Sequence, residues 1–355
     1  MTQLTTRQRF ARMFEHRPAD RVPILDHPWP TTLQRWRREG LPAGVGWAEY
    51  LDLDRVCYIH ADTSPRFQAQ VLEDTPQYKI STTPWGVTLK NWKHIASTPE
   101  FIDFVIKDRE SWRQAKARMT PLADRVDWDA LRKNYQSGQA SGAWVIGAFW
   151  FGFDVTHSWT VGTERLLVAL VEDPDWCVDM WNHELDMCIA QFEMVLQKGY
   201  RLDAILWPDD LGYKGHTFMS VQMYRDLLKP VHKRAIDWAH SKGIKACLHS
   251  CGDIRTMIPE FVDIGLDCLN PLEVKAGVDA LEVKARFGRD LVLHGGMNAV
   301  LWQDAEAMAA EIRAKLPVLK QDGGYVWATD HSIPDVVSLE DFRRIVEIVK
   351  DVGRY

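Results

Sequence analysis

The sequence predicts an α/β fold, a (β/α)8 barrel of the TIM type, formed as a single domain over residues 1 to 355. Short apolar runs alternate with amphipathic segments through the last two thirds of the chain, as strand–helix units do. The runs lack hydrophobic–polar alternation, which is typical of parallel strands covered on both faces. Roughly eight such units favour a barrel over an open sheet, and no Gly-x-Gly-x-x-Gly motif indicates a dinucleotide fold.

The elements follow one another along the chain. Strands are predicted at 143–150, 202–210, 244–249, 266–270, 290–296 and 324–332. Two helices are predicted to meet near Pro174, and a third to begin after its N-cap Ser220, kink at Pro230 and end at Gly243. Further helices are predicted at 258–265, 280–288, 304–316 and 338–353. Residues 27 to 95 are predicted to form a tryptophan-rich insertion near the barrel mouth.

Composition excludes several classes of protein. The 43 basic and 49 acidic residues give a net charge of -6 without a basic block, so we expect no nucleic-acid partner. The N-terminus lacks the apolar core of a signal peptide, and no run reaches the roughly 20 apolar residues of a membrane span. We therefore expect a cytoplasmic protein with no membrane partner. Its six cysteines are expected to be thiols or metal ligands, not a disulfide framework.

Functional side chains follow the predicted strands. The carboxyl ends of barrel strands meet at one face, where active sites of this architecture lie, so we expect these side chains to converge. They are Asp209, Asp210, His249, Cys251, Asn270, Glu273, His294, Asp330 and His331.

The stretch "CLHSCGDI" leaves three interpretations open. His249 and Cys251 have the ligand types of a zinc site, but the same residues suit the lining of a metal-free pocket. The Cys247–Cys251 spacing is wrong for a thioredoxin-type redox pair. Cys247 and Cys268 lie inside apolar runs, where cysteine usually acts as a small hydrophobic residue.

The motifs "HRPADRVPI", "DDLGYKG", "LHSCGDI", "IGLDCLNPLE", "KARFGRDLVLHGGM" and "TDHSIP" resemble the uroporphyrinogen decarboxylase superfamily, which includes cobalamin-dependent methyltransferases. The resemblance implies a (β/α)8 barrel and suggests a homodimer. The arginine-containing stretch with which the decarboxylases hold substrate carboxylates has no counterpart in "ILDHPWPTTLQRWRR". The likeness is therefore greater to the zinc methyltransferase branch.

The resemblance also implies a set of zinc ligands. His249-Ser250-Cys251 matches the His-x-Cys of the methyltransferases, whereas Asp330 and His331 stand near the last strand, where a third, thiol ligand is common. Members that demethylate aryl methyl ethers use two glutamates and a histidine, with twenty residues between the second glutamate and the histidine, as between Glu273 and His294 here. The first glutamate would fall at Ile258 and is absent, and His249 or Cys251 would replace it. We expect zinc ligands to come from His249, Cys251, Glu273 and His294.

Two functions follow from the resemblance. The first is zinc-dependent transfer of a methyl group between a small donor, such as a methyl ether, and a corrinoid (cobalamin), with Asp210 or His331 protonating the leaving oxygen and Asp209 assisting. The corrinoid is expected on a separate protein, since the chain lacks an Asp-x-His-x-x-Gly loop. The second is metal-independent decarboxylation. The predicted substrate-binding residues are Trp150, Trp207, Tyr213, Asn270 and Asp330, and Trp29 and Trp159 also fall near the predicted mouth.

Overall fold

The computed structural model describes residues 3–94 and 97–355. Its strands are β1 (Val56–Ile59), β2 (Val71–Asp74), β3 (Tyr78–Thr82), β4 (Val87–Trp92), β5 (Glu100–Phe104), β6 (Trp144–Ala148), β7 (Ala204–Pro208), β8 (Gly212–Tyr213), β9 (His216–Thr217), β10 (Lys245–His249), β11 (Cys268–Asn270), β12 (Val292–His294) and β13 (Tyr325–Val326). Its α-helices are α1 (Thr6–Phe14), α2 (Pro30–Arg38), α3 (Trp47–Tyr50), α4 (Arg109–Arg118), α5 (Trp128–Ala140), α6 (Phe153–Val155), α7 (Thr163–Glu172), α8 (Pro174–Gln197), α9 (Val221–Met223), α10 (Lys229–Ser241), α11 (Ile258–Asp263), α12 (Ala280–Phe287), α13 (Ala305–Leu319) and α14 (Leu339–Val352).

A curled parallel sheet of seven strands forms the centre, in the order β1-β6-β7-β10-β11-β12-β13. An isolated parallel bridge between Ile24 and Trp327 adds the N-terminal segment beside β13. This is an α/β fold with a TIM-like parallel sheet, which confirms the predicted succession of parallel strands, although among the residues described seven strands pair in the sheet where eight are predicted. None of the helices in the described ranges is both long enough and apolar enough to cross a bilayer.

Side chains of the central strands divide into two packed layers. Trp144, Ile146, Ala204, Cys247 and Cys268 pack inside the sheet's curve. The alternate residues of the same strands pack outward against the helices; they include Val145, Ile205, Trp207, Ala246, Leu248 and Leu269. Because side chains alternate along a strand, this division fixes which strand-end residues face the interior.

Helix α1 closes the floor of the barrel. Its Phe10 and Phe14 stack on Trp144, with ring centroids 5.6 and 5.4 Å apart. Arg9 of the same helix is buried and pairs with Asp20 and Asp54. Helix α1 therefore contributes aromatic rings to the floor of the barrel and a buried ion-paired arginine beside them.

The helices from 163 onward follow the predicted pattern. Helices α7 and α8 meet at Pro174, and the Ser220 hydroxyl accepts the Met223 N–H as an N-cap. Where a kink at Pro230 is predicted, a π-helical turn, Tyr224–Leu228, precedes α10, and Pro230 lies in the first turn of that helix. All six cysteines are free thiols.

Residues 27 to 95 differ from the prediction of one tryptophan-rich insertion at the mouth. This range, whose last residue lies outside the described part, contains β1 of the central sheet and most of an antiparallel sheet, β2-β3-β4-β5. Trp36 is fully buried against Phe342 of α14, and of its neighbours only the Trp29 ring lies near a predicted site residue, 5.9 Å from His331. Trp36 thus serves packing, whereas the Trp47 ring lies 6.2 Å from that of His27.

Candidate metal and substrate site

The interior of the curled sheet encloses a cavity of 370 Å³. Its lower walls are apolar and include Phe10, Phe14, Tyr58 and Trp144. Its upper end is polar and is formed by Asp26, His27, Asp210, His249, Cys251, Asn270, His294, Asp330 and His331. Seven predicted strand-end residues thus meet at one cavity, while no lysine or arginine is among the described residues that line it.

Asp210, His249 and Cys251 form the one group in the described ranges in which three metal-ligating side chains come together, with ligand atoms all within 4.8 Å of one another. His249 Nε2 lies 3.4 Å from Cys251 Sγ and 3.8 Å from Asp210 Oδ1. Backbone contacts fix this approach, because the Cys251 N–H donates to Asp210 Oδ1 at 2.8 Å. The loops after β7 and β10 are therefore held together at the group.

Gly252 allows the loops after β7 and β10 to approach closely. Gly252 has φ +85°, and a Cβ there would lie 2.0 Å from the carbonyl carbon of Gly212. Its N–H donates to Glu273 Oε2 at 2.6 Å. Glycine is required at this position both for its backbone conformation and for the space.

The tautomer of His249 is set by Asn270. The Asn270 Nδ2 donates to the His294 carbonyl at 3.1 Å, which turns the amide oxygen toward His249. That oxygen accepts a hydrogen bond from His249 Nδ1. Nδ1 therefore carries the proton, and Nε2 presents a lone pair to Cys251 and Asp210, the arrangement found for histidine ligands of metals.

The acidic groups of this site repel one another. Burial raises the pKa of Asp210 and of Cys251, and the carboxylates of Asp210 and Glu273 raise that of the Cys251 thiol further. A cation between them would offset the cost of ionising the thiol.

Glu273 and His294, the other predicted ligands, are not part of this group. The Glu273 carboxylate accepts the Gly252 N–H and lies 3.5 Å from Lys275 Nζ. His294 Nε2 donates to the Leu25 carbonyl at 2.9 Å, and burial lowers its pKa to about 4, so it is neutral. They support the site from outside the three-residue group.

Asp330 and His331 end the polar rim. The Asp330 carboxylate accepts hydrogen bonds from the N–H groups of Ala299 and Val274 at 2.7 and 2.8 Å. It thereby connects the loops that contain these two residues. Burial raises its pKa and lowers that of His331. His331 Nδ1 accepts the Ser332 N–H, so Nε2 remains for a ligand.

Asp209 and Trp207 lie outside the cavity, contrary to their predicted placement. Both belong to the outward-facing set of β7 and its end, and both are fully buried. Asp209 pairs with His232 Nε2 at 2.7 Å and accepts the Asp154 N–H at 2.7 Å. The Trp207 ring packs between Phe151 and His232. Their positions indicate structural support.

Trp150 and Tyr213 are likewise absent from the described cavity wall. The Trp150 ring packs against Trp159, with ring centroids 5.9 Å apart, and the backbone N–H of Trp150 donates to Cys188 Sγ at 3.3 Å. Tyr213 is 45% exposed and packs against Phe218. Asn270 does line the cavity, but its amide is engaged by His249 and His294.

Asp26 is a cavity residue that the sequence analysis missed. Its carboxylate accepts the N–H groups of His27 and Thr329 at 2.8 and 2.9 Å and the Thr329 hydroxyl at 2.7 Å. Burial outweighs these hydrogen bonds and raises its pKa to about 7. The sequence contains a pattern that predicts this position, because Asp26 follows the apolar run "VPIL" as the other site residues follow their strands.

Comparison with known proteins identifies the family of the chain. A model of the family described as uroporphyrinogen decarboxylase (URO-D) matches residues 146–352, more than half of the sequence. The chain belongs to the uroporphyrinogen decarboxylase family. The matched range contains Asp210, His249 and Cys251, so the three-residue group lies in the family's own domain. A search of the curated proteins finds no match.

One solved structure shares the fold over nearly the whole chain, and a second aligns more weakly. A methyltransferase from Methanosarcina mazei is 15% identical, with 98% of this chain and 99% of that chain covered and a TM-score of 0.67. An endo-β-1,4-xylanase from Gloeophyllum trabeum is 11% identical over 66% of this chain and 84% of that chain, with a TM-score of 0.39. At 15% identity the likeness to the methyltransferase is one of fold.

Replacing Asn270 tests the histidine arrangement. Asn270→Leu removes the acceptor for His249 Nδ1–H, and we expect zinc affinity to fall by about 10- to 100-fold, the usual effect of losing a residue that orients a ligand. Asn270→Asp keeps an acceptor and should retain most of the affinity. Competition with a chelating dye measures both. Equal affinities of the leucine variant and the unchanged protein would contradict the assigned tautomer.

Proposed function

We propose that the chain is a zinc-dependent methyltransferase that moves a methyl group between a small donor, such as a methyl ether, and a corrinoid, supplied by a separate protein. The observation that carries the proposal is the Asp210–His249–Cys251 group, with an unprotonated Nε2, at the polar end of a cavity whose described lining holds no lysine or arginine. The similar fold of a protein named as a methyltransferase agrees with it.

The three residues fit zinc in chemistry and in spacing. Imidazole nitrogen, thiolate and carboxylate are all zinc ligands, and tetrahedral coordination separates such ligand atoms by about 3.4 to 3.6 Å. The separations of 3.4 and 3.8 Å from His249 Nε2 are close to these values. His249, Cys251 and Asp210 would therefore hold the ion. Three protein ligands leave a fourth position for substrate.

A bound zinc ion supplies Lewis acidity, which polarises an oxygen or sulfur atom of the methyl-bearing ligand. The chain's residues supply the rest. Phe10, Phe14, Tyr58 and Trp144 offer an apolar seat for the body of a donor. Asp26, whose pKa of about 7 leaves it partly protonated at neutral pH, would donate a proton to the leaving oxygen. His331 remains a further candidate for this step, whereas Asp210, as a zinc ligand, would be ionised and have no proton to donate.

The cavity disfavours the alternative, metal-independent decarboxylation of a porphyrinogen. Each buried carboxylate of such a substrate requires a cationic partner, since an unpaired buried charge costs several kcal/mol. The described lining instead presents Asp26, Asp210 and Asp330. We expect uroporphyrinogen to be rejected.

Parallel assays separate the two functions. The zinc-loaded protein is incubated anaerobically with cob(I)alamin and either methoxylated aromatics, methyl thioethers or methylamines, and methylcobalamin formation is followed by absorbance. We expect transfer from at least one donor class, abolished by a chelator, and no calorimetric binding of uroporphyrinogen. Tight uroporphyrinogen binding with no methyl transfer would restore the decarboxylase alternative.

A further inference from the structure

Strand β1 has a free edge. It pairs with β6 on one side, while the N-terminal segment that adds to the far end of the sheet bridges to β13 instead, through Ile24 and Trp327. In the described ranges, no strand pairing closes the gap between this segment and β1. A side chain spans it at one end, because Asp54 Oδ2 accepts the Ile24 N–H at 2.8 Å. The barrel wall therefore has a seam without backbone pairing.

A groove of 630 Å³ runs along this seam between α3, α5 and β1. Val56, Cys57 and Tyr58 all line it, although successive side chains of a strand point to opposite faces. Val56 and Tyr58 pack with the inner layer and Cys57 with the outer layer. A groove that touches both sets must lie along the strand's edge.

Three side chains border both this groove and the central cavity: Leu25, His27 and Tyr58. Side chains alone therefore separate the two spaces. Leu25 is apolar, Tyr58 is uncharged, and His27 is exposed to solvent. These three side chains include no carboxylate, lysine or arginine, and their rotation breaks no strand pairing.

We propose that this seam is a lateral entrance through which small uncharged organic molecules reach the central cavity, with Leu25, His27 and Tyr58 as its gate. If the proposed function holds, the entrance lets a small methyl donor arrive while a corrinoid protein covers the mouth beside His249 and Cys251. The entrance itself does not depend on that function, because it concerns access alone.

Labelling of buried thiols tests the entrance in the full chain. Methyl methanethiosulfonate is small and uncharged; a thiol displaces its sulfinate, forming the mixed disulfide and releasing methanesulfinic acid. Cys268 lines the central cavity, and Cys57 lines the groove. Peptide mass spectrometry follows each thiol separately over time. This measurement requires neither metal nor methyl transfer, so its failure is distinct from failure of the proposed function.

Tryptophan variants distinguish the groove from the barrel mouth as the route to Cys268. Ser137 of α5 is exposed and lines the groove, and Gln136 is exposed on the same helix but outside it. Ser137→Trp should slow Cys268 labelling by about tenfold, equivalent to ~1.4 kcal/mol of added barrier, relative to Gln136→Trp. His27→Ala should accelerate labelling of Cys268 but not of Cys57. Equal Cys268 rates in the two tryptophan variants, or slowing only by Ser332→Trp at the mouth, would overturn the proposal.

Discussion

Cys251→Ser and His249→Ala are each expected to deprive the purified protein of zinc while leaving it folded. Each change removes one of three ligands in the group of Asp210, His249 and Cys251. The loss of affinity should exceed the ~10- to 100-fold typical of residues that only orient a ligand. Elemental analysis after dialysis measures the zinc content, and circular dichroism reports the fold.

Cys57→Ser is the matched control for this experiment. Cys57 is also a buried free thiol, but it lies on the outer side of β1, with its Sγ near the Asn134 carbonyl. The control should keep its zinc. Normal zinc content in both site variants would contradict the metal site, and retention in one alone would move the assignment to Glu273, His294 or His331.

Asp26→Asn is expected to lower methyl transfer by on the order of 100-fold or more, the range for loss of a general acid. The protonated carboxyl is the active form, and burial raises its pKa to about 7. Activity of the unchanged protein should therefore fall as the pH rises through about 7, and the variant should lack this decline. Rates measured between pH 5 and 9 test both expectations.

The variant Asp210→Asn distinguishes proton donation by Asp26 from metal binding. Asp210 belongs to the three-residue group, so its replacement should weaken zinc binding together with turnover, whereas Asp26→Asn should leave zinc affinity unchanged. A variant Asp26→Asn with full activity and the same pH profile would show that another group delivers the proton. In that case the prediction for His331 would gain support.

The succession of parallel strands and the convergence of their carboxyl ends could be predicted from the sequence, because both depend on local patterns. Apolar runs and caps such as Ser220 are read within a few residues, and Asp210, His249 and Cys251 each follow a strand. The placement of Asp209 and Trp207 was predictable from the same strand. Leu206 faces the cavity, so strict alternation sends both residues to the helix layer.

Other features depend on contacts that no local pattern shows. Phe10 and Phe14 build the cavity floor by stacking on Trp144, more than one hundred residues away in the chain. The choice of Asp210 over Glu273 in the three-residue group depends on the Cys251 N–H contact between two loops. The hydrogen bonds that hold the Asp26 carboxylate come from the N–H and hydroxyl groups of Thr329, 303 residues away in the chain.

Zinc K-edge X-ray absorption of the zinc-loaded protein tests the three-residue site most directly. Coordination by Cys251, His249 and Asp210 predicts one sulfur neighbour at about 2.3 Å and nitrogen or oxygen neighbours at about 2.0 to 2.2 Å. The sulfur contribution should disappear in Cys251→Ser. A zinc ion with two or more sulfur neighbours would implicate Cys247 or Cys268, and a spectrum without sulfur, or a protein that binds no zinc, would contradict the proposed centre.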